Sequence, residues 1–158
     1  MTMIVVTGGS SSQKKHVTSI VEFCIEKLMP RIQNLEIFIK LKDLKDDAYG
    51  YCVPLEENLQ GRPDRPRTFE IEVHKKMPLR KVLETVAHEM VHVKQFARGE
   101  LYQGIRVNKF RWQGEWINKD PDYWDQPWEI EAHGRETGLF VRWAQKQNFG
   151  KFKWTQES

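Results

Sequence analysis

Thr68-Phe-Glu-Ile-Glu-Val-His74, followed three residues later by Pro78-Leu-Arg-Lys-Val-Leu-Glu-Thr-Val-Ala-His88-Glu-Met-Val-His92-Val-Lys-Gln-Phe-Ala97, decides the fold class of this chain. The first run alternates Phe69, Ile71 and Val73 with Glu70, Glu72 and His74, the period of a strand with one apolar face. The second run changes period. At about 100° per residue, Leu79, Val82, Leu83, Val86, Met90, Val93 and Ala97 cluster within about 50° of one direction, the stripe of an amphipathic helix. Pro78 suits its first turn and Gly99 stops it.

Working outward, residues 3–6 form a short strand ending at Thr7-Gly8-Gly9, and residues 10–12 cap a helix that runs to about Met29, before Pro30. Val17, Ile20, Val21, Cys24 and Leu28 share one face of that helix, so Cys24 reads as packing. Residues 36–41 and 48–53 are strand-like, and residues 61–67 make a stiff basic loop with Pro63 and Pro66. Residues 109–112 and 115–118 around Gln113-Gly114 predict a two-residue hairpin, with Arg111 opposite Trp116 as a cation–π pair. A last helix spans residues 128–147. The expectation is one α+β domain over residues 1–150, with a 151–158 tail. It has a small, mostly antiparallel sheet, an N-terminal helix, the helix of residues 79–98 and the C-terminal helix.

Composition agrees with a folded domain. The chain has 158 residues, 39% hydrophobic and 30% charged, with a net charge of +3. That length buries enough surface to fold without a covalent staple, and the charge excess is too small to imply nucleic acid by itself. Cys24 and Cys52 form no C-x-x-C, and no apolar run approaches the ~18 residues of a membrane span. A reduced, cytoplasmic setting is expected.

His88-Glu89-Met90-Val91-His92 is H-E-x-x-H inside the predicted helix. Residues i and i+4 project from one face, so two imidazoles converge on one ion, while the intervening Glu reaches the metal-bound water. Zinc lowers the pKa of that water to about 7, and Glu89 takes its proton as general base. On the wheel His88 and His92 lie opposite the core stripe, with Lys81, Thr85 and Gln95, and Glu89 at the edge.

A catalytic zinc site commonly has three protein ligands. With Trp128 at 0°, Leu139, Ala132, Trp143, Phe140, Ala144, Ile130 and Val141 span about 20° to 220°, and Glu129, His133 and Glu136 fall inside that arc. A carboxylate in an apolar arc is costly unless paired or metal-bound, which makes Glu129 the preferred third ligand and His133 the alternative. Glu131 falls on the polar face beside Arg135 and reads as a solvated i,i+4 partner. His133 could also orient a ligand, and Glu136 could hydrogen-bond nearby or form an internal ion pair.

The segment from Ala87 to Phe96 resembles the active-site helix of SprT-like zincin metallopeptidases, and Glu129-Ile-Glu-Ala-His133 is similar to the gluzincin E-x-x-A-D pattern, whose first Glu binds zinc. Small gluzincin-like proteins, several encoded by phages, combine these features in one domain. The resemblance spans roughly residues 68–145. His133 stands where many gluzincins have an Asp, and the SprT-like pattern usually supplies a His as third ligand. The resemblance implies a peptidase acting on peptide or protein. It also implies that the strand before the active-site helix, here Thr68–His74, binds an extended substrate by strand addition. An ordinary edge strand kept soluble by Glu70, Glu72 and His74 is the competing reading.

The expected function is therefore zinc-dependent peptide hydrolysis with His88, His92 and Glu129 as ligands and Glu89 as base. Tyr102 or Tyr123 could stabilise the oxyanion. One rival is an SprT-like protein acting on DNA-associated proteins, with Arg62, Arg65, Arg67, Arg98, Arg106, Lys109 and Arg111 as a basic surface; scattered solvated charge is the simpler reading of those residues. Another is a non-catalytic, zinc-stabilised interaction module in which His133 closes a four-ligand site. The aromatics Phe110, Trp112, Trp116, Tyr123, Trp124 and Trp128 read as a mini-core under a long loop, or as a cleft wall.

Overall fold

At Gly8 the chain leaves its first strand, β1 (Met3–Thr7), with φ +77°, and a Cβ there would collide with the Leu41 carbonyl oxygen, so the turn requires glycine. The computed structural model describes residues 1–45, 47–55, 64–103, 109–117 and 121–156. Ser10 caps α1 (Ser11–Leu28) by a capping box: its hydroxyl accepts from the Gln13 N–H and the Gln13 side chain accepts from the Ser10 N–H. Because α1 carries the chain back across the sheet, β2 (Glu36–Lys42) lies parallel to β1.

The larger sheet continues with β3 (Gly50–Pro54) and β4 (Thr68–His74), in the order β1-β2-β4-β3. β4 is parallel to β2, and β3 runs antiparallel along its far side. The class is α+β, with antiparallel pairing at β3/β4 and throughout a second, three-stranded sheet. The strand expected to take a substrate on its edge is thus interior. Both edges of β4 are paired, and among the described residues the open edge beyond it belongs to β3. Glu70 and Glu72 serve the sheet's solvent face, where they pair with Lys40 (3.0 Å) and Lys42 (3.8 Å). His74 Nδ1 accepts from the Leu44 N–H at 3.0 Å.

On the other face Ile37, Ile39, Leu41, Phe69, Ile71 and Val73 are buried in one cluster with Val17, Ile20, Val21 and Cys24 of α1 and Val82, Leu83, Val86, Met90 and Val93 of α2 (Leu79–Ala97). Each such side chain contributes about 1.5–3 kcal/mol of transfer free energy. Gly99, at φ +73°, ends α2 as expected. The second sheet comprises β5 (Leu101–Gln103), β6 (Phe110–Trp112) and β7 (Glu115–Ile117). Gln113 and Gly114 both have positive φ at the β6–β7 turn, and Arg111 pairs with Trp116, its guanidinium 5.7 Å from the ring centroid. A 3-10 turn (Tyr123–Asp125) leads into α3 (Pro127–Lys146), which packs on α2.

Within the segment expected as a tail, the described part is ordered: α4 (Lys153–Gln156) docks on the domain. Trp154 joins His16, Phe140, Trp143 and Phe149 in an aromatic cluster, and Arg80 Nη1 donates to the Thr155 carbonyl at 2.8 Å. Apolar area on Trp154 outweighs the flanking charges that make the segment read as tail. Among the described residues no helix is long and apolar enough to cross a membrane.

Candidate metal centre

The H-E-x-x-H motif lies in the middle of α2, where β3 and α3 cover the helix on the side away from α1. The helix face opposite the core stripe is therefore largely buried as well. His92 is 7% exposed, Glu89 4% and Gln95 0%, with Thr85 also buried and His88 half-buried. Sequence periodicity identifies a polar face, and neighbouring elements decide whether water reaches it.

α3 brings Glu129 to the imidazole pair. Its carboxylate lies 3.0 Å from His88 Nε2 and 3.2 Å from His92 Nε2. Two donors each about 2.1 Å from a tetrahedral ion are about 3.4 Å apart, a spacing that both His–Glu129 contacts approach. His88, Glu89 and His92 have ligand atoms within 4.8 Å of one another, as do His88, Glu129 and His133. These groups could bind a metal ion.

Burial opposes charge on His88, but hydrogen bonding to Glu129 and Glu136 and the field of Glu89 hold its pKa up at about 9. His92 is raised similarly against its burial, chiefly by Glu129. Burial would raise Glu129, yet the two imidazoles hold it well below the usual carboxylate range. Burial pushes Glu89 up, His92 and His88 pull it down, and Glu129 and Glu136 add to the rise; the net shift is upward. Both imidazoles are thus held toward their protonated forms in the metal-free protein, and metal binding releases those protons.

Gln95 orients His92, a role the sequence did not reveal because a helical Gln on a polar face reads as solvated. Its Nε2 donates to the Trp128 carbonyl and to Glu131 Oε1, both at 2.9 Å. Its Oε1 must then accept, and His92 Nδ1 donates to it at 2.8 Å, leaving Nε2 aimed at Glu129. Glu131 is not a solvated surface charge. It pairs with Arg135 at 3.0 Å as expected, but also accepts from Lys94 at 2.6 Å, because α2 and α3 pack closely here. Of the apolar arc on α3, Trp128, Ala132, Phe140, Trp143 and Ala144 are buried, whereas Ile130 and Val141 are exposed on the side no helix covers.

His133 lies beside the ligand cluster, its ring centroid 4.5 Å from that of His88. Its Nδ1 is 2.7 Å from Glu136 Oε1, and its Nε2 is 2.9 Å from the Tyr123 hydroxyl. That hydroxyl donates its one proton to Glu129 at 2.9 Å. Burial and the Glu129 charge push the Tyr123 pKa upward, so it stays a donor. Tyr102 packs against Trp116 and Arg111 and does not line the cavity. Trp124 packs against His133 with its ring tilted 33°, whereas Phe110 and Trp112 pack on Trp128, so the aromatics divide between cleft wall and mini-core.

The cluster opens into a cavity of about 610 Å³ whose walls include Tyr49, Tyr51, Cys52, Lys81, Tyr123 and Trp124. Gly50 lets β3 approach α2: a Cβ there would sit 2.9 Å from Thr85 Cγ2 and from the Glu72 carbonyl oxygen, and 3.5 Å from Glu89 Cγ. Of the basic residues weighed earlier, Arg67 is tied to the Ala97 carbonyl at the end of α2, and Arg111 is 3.7 Å from Asp64. Arg62 and Arg106 lie outside the described residues, as does Asn118 of the predicted hairpin.

The fold and site together define an α+β domain with a His/Glu cluster able to hold a metal ion. Compared with family models, with curated proteins and with solved structures, the chain finds no match.

Proposed function

We propose that this chain is a zinc-dependent metallopeptidase of the gluzincin-like kind, with His88, His92 and Glu129 as ligands and Glu89 as general base. The observation that carries the reading is the convergence of both Nε2 atoms on the Glu129 carboxylate, with Glu89 buried next to His88 in the same helix. Two imidazoles and one carboxylate are a donor set that zinc takes in catalytic sites. Zinc held there supplies a Lewis acid for the scissile carbonyl and lowers the pKa of its water to about 7.

Glu89 accepts the proton of the attacking water as oxygen bonds to the carbonyl carbon, and returns it to the amine as the C–N bond breaks. Its upward shift suits both transfers. The Tyr123 hydroxyl is the neutral donor beside Glu129 and is the better placed of the two tyrosines to meet a developing oxyanion. β3 supplies the edge for an extended peptide. Tyr49, Tyr51, Val53 and Leu55 form the hydrogen-bonded register with β4, which turns the backbone groups of Gly50 and Cys52 outward.

Glu89→Gln is expected to retain stoichiometric zinc and to lose about 10²–10⁴ in peptide-hydrolysis rate. Undiminished hydrolysis would reject the mechanism. Metal analysis of Glu129→Ala, Glu131→Ala and His133→Ala identifies the third ligand, with loss expected for Glu129→Ala alone. The proximity of His133 to His88 and Glu129 favours one second reading, a closed structural site without catalysis. Metal loss in both Glu129→Ala and His133→Ala, with no hydrolysis by the wild type, would establish it.

A further inference from the structure

Lys81 stands in the wall of the same cavity, seven residues before His88. Seven residues are nearly two full turns, so Lys81 lies within about 20° of His88 on the helix and about 10 Å along it toward the N-terminus. It is half-buried, and its ammonium rests 4.6 Å from the ring centroid of Tyr49, which holds it against the cavity wall. Arg80, next to it in the chain, is engaged elsewhere, with Glu84 at 2.6 Å. Lys81 has no carboxylate within ion-pair distance among the described residues, although Asp47 lines the same cavity. Thr85, one turn nearer the motif, donates its hydroxyl to the Lys81 carbonyl and so does not compete with the ammonium for an anion.

We propose that Lys81 forms an anion subsite that receives a carboxylate of the substrate two to three residues from the scissile bond, on the leaving-group side. The proposal rests on the peptidase reading and adds the substrate class. An extended chain advances about 3.3 Å per residue, so about 10 Å corresponds to that separation. β3 provides the direction. Tyr49, just before it, touches Lys81, while Gly50 approaches Thr85 and Glu89, so β3 runs from the Lys81 end toward the motif. A peptide added antiparallel, the slightly stronger pairing, runs the opposite way and carries its C-terminal half toward Lys81. The carboxylate can be an acidic side chain there or the C-terminus of a short leaving peptide.

The test uses the zinc-loaded full chain carrying Glu89→Gln, with binding measured by calorimetry for three otherwise identical peptides. One is neutral and amidated, one is amidated with Glu at the third position after the scissile bond, and one ends there in a free carboxylate. Either anionic peptide is expected to bind roughly tenfold more tightly than the neutral one, the worth of one charge-assisted hydrogen bond. Whichever gains identifies the source of the carboxylate. Lys81→Met, which keeps the aliphatic stem, should collapse the ratio to one, and Lys81→Glu should invert it in favour of a Lys-containing peptide. Equal binding of all three peptides by protein with Lys81 intact overturns the subsite and leaves the peptidase reading standing. Absence of peptide binding, together with absence of hydrolysis by the wild type, overturns both.

Discussion

Replacing Gln95 by Leu should weaken metal binding from a position that touches no metal. The side chain is fully buried and makes three hydrogen bonds: it accepts from His92 Nδ1 within α2, and its two bonds to Trp128 and Glu131 tie α2 to α3. Leucine fills the space but leaves the His92 Nδ1 donor without an acceptor, which costs about 1–3 kcal/mol, and removes a bond to a carboxylate worth about 1.5–3 kcal/mol. A destabilisation of about 3 kcal/mol lowers the melting temperature of a domain this size by roughly 6–12 °C. Loss of the group that orients a ligand typically costs about 10–100-fold in metal affinity. Chelator competition on the folded protein at 20–30 °C below its transition, roughly, separates affinity from stability. Gln95→Glu restores the acceptor for His92 while placing a second carboxylate beside Glu131, so it should recover much of the affinity and little of the stability. Unchanged metal affinity in Gln95→Leu would refute the claim that this amide orients His92.

Two further outcomes follow from the same geometry. In metal-free protein the His88 pKa is raised from 6.5 to about 9, so its contribution is full below 6.5 and is lost as pH rises through 9. Glu129 has the opposite sign, contributing above the usual carboxylate range and losing that contribution as pH falls through its depressed value. Thermal scans should therefore show the metal-free form losing stability between pH 7 and 10, roughly, while the zinc-loaded form does not, because zinc has replaced those protons; a flat metal-free profile contradicts the pairing. Gly50→Ala places a methyl 2.9 Å from the Glu72 carbonyl and from Thr85 Cγ2, and should destabilise by about 1–3 kcal/mol in urea unfolding. A neutral result would mean that β3 is free to move away from Glu89.

Local pattern carried much of this molecule. The alternation in Thr68–His74, the apolar stripe of α2, the Ser10 cap and the Gln113-Gly114 turn each depend on interactions within a few residues, and all appear where the chain predicts them. The spacing of His88, Glu89 and His92 is likewise a property of one helix, and the apolar arc of α3 placed Glu129 on an inward side. β5 was missed because a three-residue strand shows too few alternations to stand out from loop. α4 was missed because its anchor is the aromatic cluster around His16, assembled from α1, α3 and the C-terminal segment.

What the amino-acid order determined alone was most of the elements and the chemistry each one bears: an α+β series with an H-E-x-x-H helix and a carboxylate-bearing helix after it. Only the tertiary structure decided that β4 is interior and β3 is the open edge, that Gln95 and Glu131 are drawn into the α2–α3 seam, and that Tyr123, Trp124 and Lys81 share a cavity with the histidines. The division has a physical basis. Periodicity reports which side of an element is apolar, a local quantity, whereas strand order and the covering of a polar face depend on contacts between residues tens of positions apart, which no short window contains.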